Sequence, residues 1–206
     1  MKSFWKVEIN NKIINNNSNK LAVLLPGINY STDRPLIDYS KRLALEMKYD
    51  CLDIDYGFQI ARKEFDKDKE VNVIIKESIK ILNEAIENTS KKYEEILLIG
   101  KSIGTVVQIH IQKEVCKNIK VKNIYLTPIE NTFELGLSEE SLVITGTNDT
   151  WISKETVEKI KNINNIKTLI IQNANHSLNI DGDILKTIEA LNVIINEEKQ
   201  YILNFN

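Results

Sequence analysis

Six short runs of nearly unbroken apolar residues recur along this 206-residue chain, separated by longer stretches with helical periodicity. The runs are Leu21–Leu25, Cys51–Asp55, Glu95–Ile99, Val121–Leu126, Ser141–Thr145 and Lys167–Gln172. Strands apolar on both sides leave no face for solvent, so both faces of their sheet must be covered. The intervening segments supply that cover. Pro35–Lys48 carries Leu36, Leu43 and Met47 at helical spacing, and Glu70–Tyr93 carries Val73, Ile74, Ile79, Leu82 and Ile86. Gly104–Cys116, Lys154–Ile163 and Gly182–Ile195 continue the alternation. This order predicts an α/β fold with a mostly parallel central sheet and helices on both faces. Ahead of it, Phe4–Ile14 reads as a short hairpin turning at Asn10-Asn11, residues that tolerate positive φ. The length suits a single domain spanning 1–206.

Ligands of such sheets sit beyond the carboxyl ends of the strands. Four ends carry chemistry: Pro26–Tyr30, Gly100–Gly104, Gly146–Trp151 and Asn173–Leu178. Composition narrows what that chemistry can be. With 27 Lys and Arg against 29 Asp and Glu the formal charge is −2, without the basic excess of a nucleic-acid binder. Two cysteines, Cys51 and Cys116, can build neither a disulfide framework nor a four-thiolate zinc site, and both read as packing residues. Lys2, Lys6 and Glu8 interrupt the N-terminus too early for a signal peptide, and no apolar run approaches a membrane span. A cytoplasmic protein with no membrane partner is expected.

Gly100-Lys101-Ser102-Ile103-Gly104 stands where a strand gives way to a helix. A G-x-S-x-G turn there is too sharp for a Cβ at either glycine, and it lifts the Ser102 hydroxyl above the sheet beside the helix N-terminus. A phosphate-binding reading of Gly100-Lys101-Ser102 would need Gly five positions earlier, where Glu95 stands. A serine nucleophile needs a base. Of the two histidines, His110 lies eight residues along the same helix, roughly 12 Å away. His176 follows the last strand at the same sheet end as Ser102. Asp149, after the strand Ser141–Thr145, is the carboxylate placed to orient it, with Glu130 as the substitute. Asp181 and Asp183 suit the start of the final helix. For a tetrahedral oxyanion, the Ile103 N–H is one donor and the loop after the first strand offers Ile28, with Asn29 as the alternate. Asn29, Tyr30, Lys101, Trp151 and Leu178 are the candidate pocket residues.

These four segments resemble the α/β-hydrolase superfamily over nearly the whole chain. Pro26-Gly27-Ile28-Asn29, Gly100-Lys101-Ser102-Ile103-Gly104, Gly146-Thr147-Asn148-Asp149 and Asn175-His176-Ser177-Leu178 carry the likeness, in the order Ser102, Asp149, His176. Compact, lidless carboxylesterases and thioesterases are the members it looks like. The resemblance implies a small-molecule ester or thioester substrate, an acyl-enzyme, and neither metal nor cofactor. Two departures stand out. Pro26 replaces the His that often precedes the oxyanion glycine, and Asn175, a residue tolerant of the left-handed region, replaces the Gly common before the histidine. Thr127–Glu140 leaves no room for a cap domain. A silent binding protein on the same fold and an acyltransferase using the same residues are the rival readings.

Overall fold

The computed structural model describes residues 1–116 and 119–204. The apolar runs become β1 (Lys20–Leu25), β2 (Asp50–Asp53), β3 (Glu95–Lys101), β4 (Lys120–Leu126), β5 (Leu142–Gly146) and β6 (Lys167–Ile171). They pair into one sheet in the order β2-β1-β3-β4-β5-β6, every pair parallel. The helices are α1 (Pro35–Glu46), α2 (Gly57–Ile60), α3 (Lys67–Thr89), α4 (Ile103–Glu114), α5 (Glu130–Glu134), α6 (Lys154–Lys161) and α7 (Ile184–Asn204).

Side chains alternate across the strands, which is why the runs carry apolar residues for both faces. Leu21, Val23, Leu25, Ile96 and Leu98 pack with Ile74 and Leu82 of α3 and Val107 and Ile111 of α4. Ala22, Leu24, Leu97, Ile99, Leu126 and Ile144 pack with Ile37 and Ala44 of α1 and Ile194 and Ile202 of α7. Tyr125 and Val143 meet Ile109 of α4 and Ile160 of α6. Each large aliphatic side chain so buried contributes about 1.5–3 kcal/mol.

The chain leaves β1 toward β2 on one side and returns to β3 on the other, so β1 and β3 form the switch point where such sheets open a crevice. Register aligns the strand ends there: Leu25 stands opposite Gly100, and Lys101 opposite Leu126.

Several sequence boundaries shift. The first segment is not a hairpin turning at Asn10-Asn11. It turns at Ser3–Val7, where Lys2 bridges Glu8, while Ile14 bridges Cys51 at the open edge of β2. The longest mid-chain helix starts earlier than Glu70, because the Asp66 side chain caps it by accepting from Asp68 N. It ends at Thr89, where Ser90 turns left-handed at φ 55°. Residues 127–141 hold only the five-residue α5 between β4 and β5. No helix among the described residues is long and apolar enough to cross a membrane.

Candidate active site

Ser102 occupies the single residue between β3 and α4, at φ 54° and ψ −120°. A Cβ on Gly104 would stand 2.6 Å from the Pro26 carbonyl oxygen, and one on Gly100 would stand 2.8 Å from that of Gly104. Both positions therefore require glycine. The turn is pinned by Ser102 N donating to Leu126 O at 3.0 Å and by the Thr105 hydroxyl donating to Ser102 O at 2.6 Å.

His176 Nε2 lies 2.8 Å from Ser102 Oγ, and His176 Nδ1 lies 2.9 Å from each oxygen of Asp149. The Asp149 side chain is fully buried, and its Oδ1 also accepts from Trp151 N at 2.9 Å. In the tautomer with the proton on Nδ1, donated to that carboxylate, Nε2 is an acceptor for the serine hydroxyl. Asp149 and His176 share a scaffold. Asn148 N donates to Ala174 O at 2.9 Å, and Asn173 N donates to Thr147 Oγ1 at 2.7 Å. Asn175 shapes the histidine loop through its side chain, not through a left-handed backbone. Its Oδ1 accepts from Ser177 N and Asn179 N, and its Nδ2 donates to Asp181. The left-handed residues of this loop are Asn173 and Leu178. Glu130, the substitute acid, instead holds the start of α6 by accepting from Ser153 N and Thr156 Oγ1. His110 points from the body of α4.

The candidate oxyanion donors lie in the loop after β1 and at the start of α4. Gly27 and Tyr30 bridge each other, and a Cβ on Gly27 would lie 3.3 Å from Ser102 Cβ, which sets this loop against the serine. Among the described residues the N–H groups of Ile28, Asn29 and Ile103 have no acceptor. Sequence reasoning missed Gln59, on the single turn of α2. Its amide donates to Gly27 O and Ile28 O, both at 2.7 Å. In trans peptides N–H opposes C=O, so this grip turns the Ile28 and Asn29 N–H groups away from Gln59.

The remaining pocket candidates divide. Asn29, Tyr30 and Leu178 line a cleft of about 720 Å³ whose walls mix Ile180 and Ile184 with Arg34 and Asp181, and Ser102 and His176 are not among its lining residues. Trp151 is 55% exposed, with its ring 5.6 Å from that of His176. Lys101 is a correction. The side chain is 1% exposed and lies beneath the site, where strand alternation turns it to the α1/α7 face, its Nζ donating to His176 O at 2.8 Å. Among the described residues no three His, Cys, Asp or Glu side chains cluster to hold a metal ion.

No protein-family model and no curated protein sequence matches the chain. Solved structures do. A lidless α/β serine hydrolase from Xanthomonas campestris superposes with a TM-score of 0.68 at 11% identity, over 95% of this chain and 87% of its own. A candidate α/β hydrolase of unknown function from Agrobacterium tumefaciens gives 0.70 at 15%, over 93% and 88%. The chain has the α/β-hydrolase fold. Another structure with this α/β-hydrolase fold is Est1E of Butyrivibrio proteoclasticus with ferulic acid bound, at 0.66 and 16% identity over 95% and 93%. In α/β-hydrolase terms, Ser102 stands on the strand-to-helix elbow, and Asp149 and His176 stand on the two later loops.

Proposed function

We propose that the protein is a serine hydrolase that cleaves a carboxylic ester or thioester of a small molecule through an acyl-enzyme on Ser102. The reading is carried by the unbroken hydrogen-bonded path from Ser102 Oγ through His176 to buried Asp149. His176 takes the hydroxyl proton as Oγ attacks the carbonyl carbon. The new oxyanion receives Ile103 N–H and an N–H of the Gln59-held loop, from Ile28 or Asn29. His176 then returns the proton to the departing alcohol or thiol, and the acyl group stays on Ser102. Water, deprotonated by His176, attacks the acyl-enzyme and releases the acid. The Asp149 carboxylate steadies the imidazolium in both halves. Unpaired Cys51 and Cys116 suit a cytoplasmic setting.

Ser102→Ala tests this directly. It should lower kcat/KM for a p-nitrophenyl ester by at least about 10³-fold while the fold persists. A fluorophosphonate probe should label Ser102 in the native chain. Turnover at the native level in Ser102→Ala would overturn the proposal.

A further inference from the structure

Among the described residues Lys101 is the one fully buried lysine directly beside the serine elbow, and the hydrolytic steps above do not use it. Among the described residues its Nζ has a single hydrogen-bond acceptor, the main-chain carbonyl of His176 at 2.8 Å. The same ammonium lies 5.2 Å from the ring centroid of Tyr30, on the loop after β1. One side chain thus joins the strand that carries the serine, the loop that carries the histidine and the loop that carries the oxyanion donors.

That placement answers a geometric difficulty. Ser102 follows β3 and His176 follows β6, with β4 and β5 between them. Small changes in strand spacing or twist would accumulate across those pairings and move the imidazole relative to Oγ. The Asp149 and His176 loops are joined to each other through Asn148 and Thr147. Between the Ser102 turn and the His176 loop the described residues show two hydrogen bonds. One is the reacting Nε2–Oγ pair, and the other is Lys101 on His176 O. We propose that Lys101 is a positioning residue, which holds the histidine loop to the nucleophile strand and so keeps the imidazole on Ser102 Oγ. The proposal rests on the serine-hydrolase reading for its kinetic consequence but not for the tie itself.

The chemistry of the position agrees. An ammonium with one acceptor is costly to bury, and an apolar side chain would suit the fold as well or better. Burial drags the Lys101 amine down to about 7, with the nearby Asp149 charge opposing. A lysine here is thus explained by what it holds.

Lys101→Met keeps the volume and removes the donor. It should fold, with a melting temperature no lower than the native chain. Its kcat on a short p-nitrophenyl ester should fall about 10- to 100-fold, as expected for a displacement near 1 Å, with KM within about twofold. Lys101→Arg retains a donor and should recover part of the loss. The downfield His176 Nδ1–H resonance should be sharp in the native chain and broadened or lost in Lys101→Met. Only two histidines are present, so His110→Asn assigns it. Native kcat with a native resonance in Lys101→Met would overturn the proposal. So would failure of that variant to fold, which would make Lys101 a residue of stability. If the native chain hydrolyses no ester, the serine-hydrolase reading fails and the resonance alone decides the tie.

Discussion

A serine held at φ 54° stores about 1–3 kcal/mol of backbone strain, which the packing around Gly100 and Gly104 sustains. The strain displays the hydroxyl, but display alone does not set where an oxyanion would form. Gln59 holds the loop with the candidate donors from the other side, through two of its carbonyls. Gln59→Leu should leave KM nearly unchanged and lower kcat by about 10- to 100-fold, because the Ile28 and Asn29 N–H groups lose their fixed direction. Steady-state kinetics on one ester would check it, and an unchanged kcat would count against the loop as a donor. Ser102, Asp149 and His176 could be read from the sequence because each follows an apolar run and histidine is scarce. Gln59 could not. It lies on a four-residue helix with no periodicity to announce it, and its role exists only once β1 and α2 are neighbours. Lys101 reads as a pocket residue because it adjoins the serine, but strand alternation turns its side chain under the site.

Among the elements, α7 shows how a polar residue can hide a helix. The sequence suggests an end near Ile195, whereas the helix runs to Asn204. Its buried stripe is Ala190, Ile194, Glu198, Tyr201 and Ile202, and the glutamate interrupts the apolar pattern in mid-stripe. Glu198 packs against α1, where the Ser40 hydroxyl lies 3.0 Å from its carboxyl and also donates to Leu36 O at 2.9 Å. One hydroxyl hydrogen cannot serve both, so a protonated Glu198 completes the pair. Burial accordingly raises its pKa to about 8. The folded chain then binds this proton more tightly than the unfolded chain, so the associated stability is complete below about pH 4.3 and is lost as pH rises through about 8. Glu198→Gln should therefore be more stable than the native chain at pH 9, by about 1–4 kcal/mol, and the advantage should shrink toward pH 4. Denaturant titrations at the two pH values would measure it. The strands were easier to read because Pro26-Gly27, Gly100 and Gly146 punctuate them. The first turn was not, since Ser3–Val7 is set by packing of Trp5 on Phe58, a contact remote in sequence.

For the whole molecule, the order of strands matters more than any one contact. Ser102 hangs from β3, paired on both sides by long strands and buried throughout. His176 hangs from β6, which borders the sheet, pairs among the described residues only with β5 and buries fully just its last residue, Ile171. Edge elements with few buried contacts open at lower free energy than a central strand. Warming should loosen β6 while β3 remains closed, so His176 would leave Ser102 before the sheet melts. Activity assayed at rising temperature should fall several degrees below the midpoint seen by circular dichroism, with amide exchange over residues 167–176 outpacing that over 95–101. Coincident midpoints would refute this. Heat would then idle the protein reversibly at first, an inactive fold waiting to be cooled, before it destroys it.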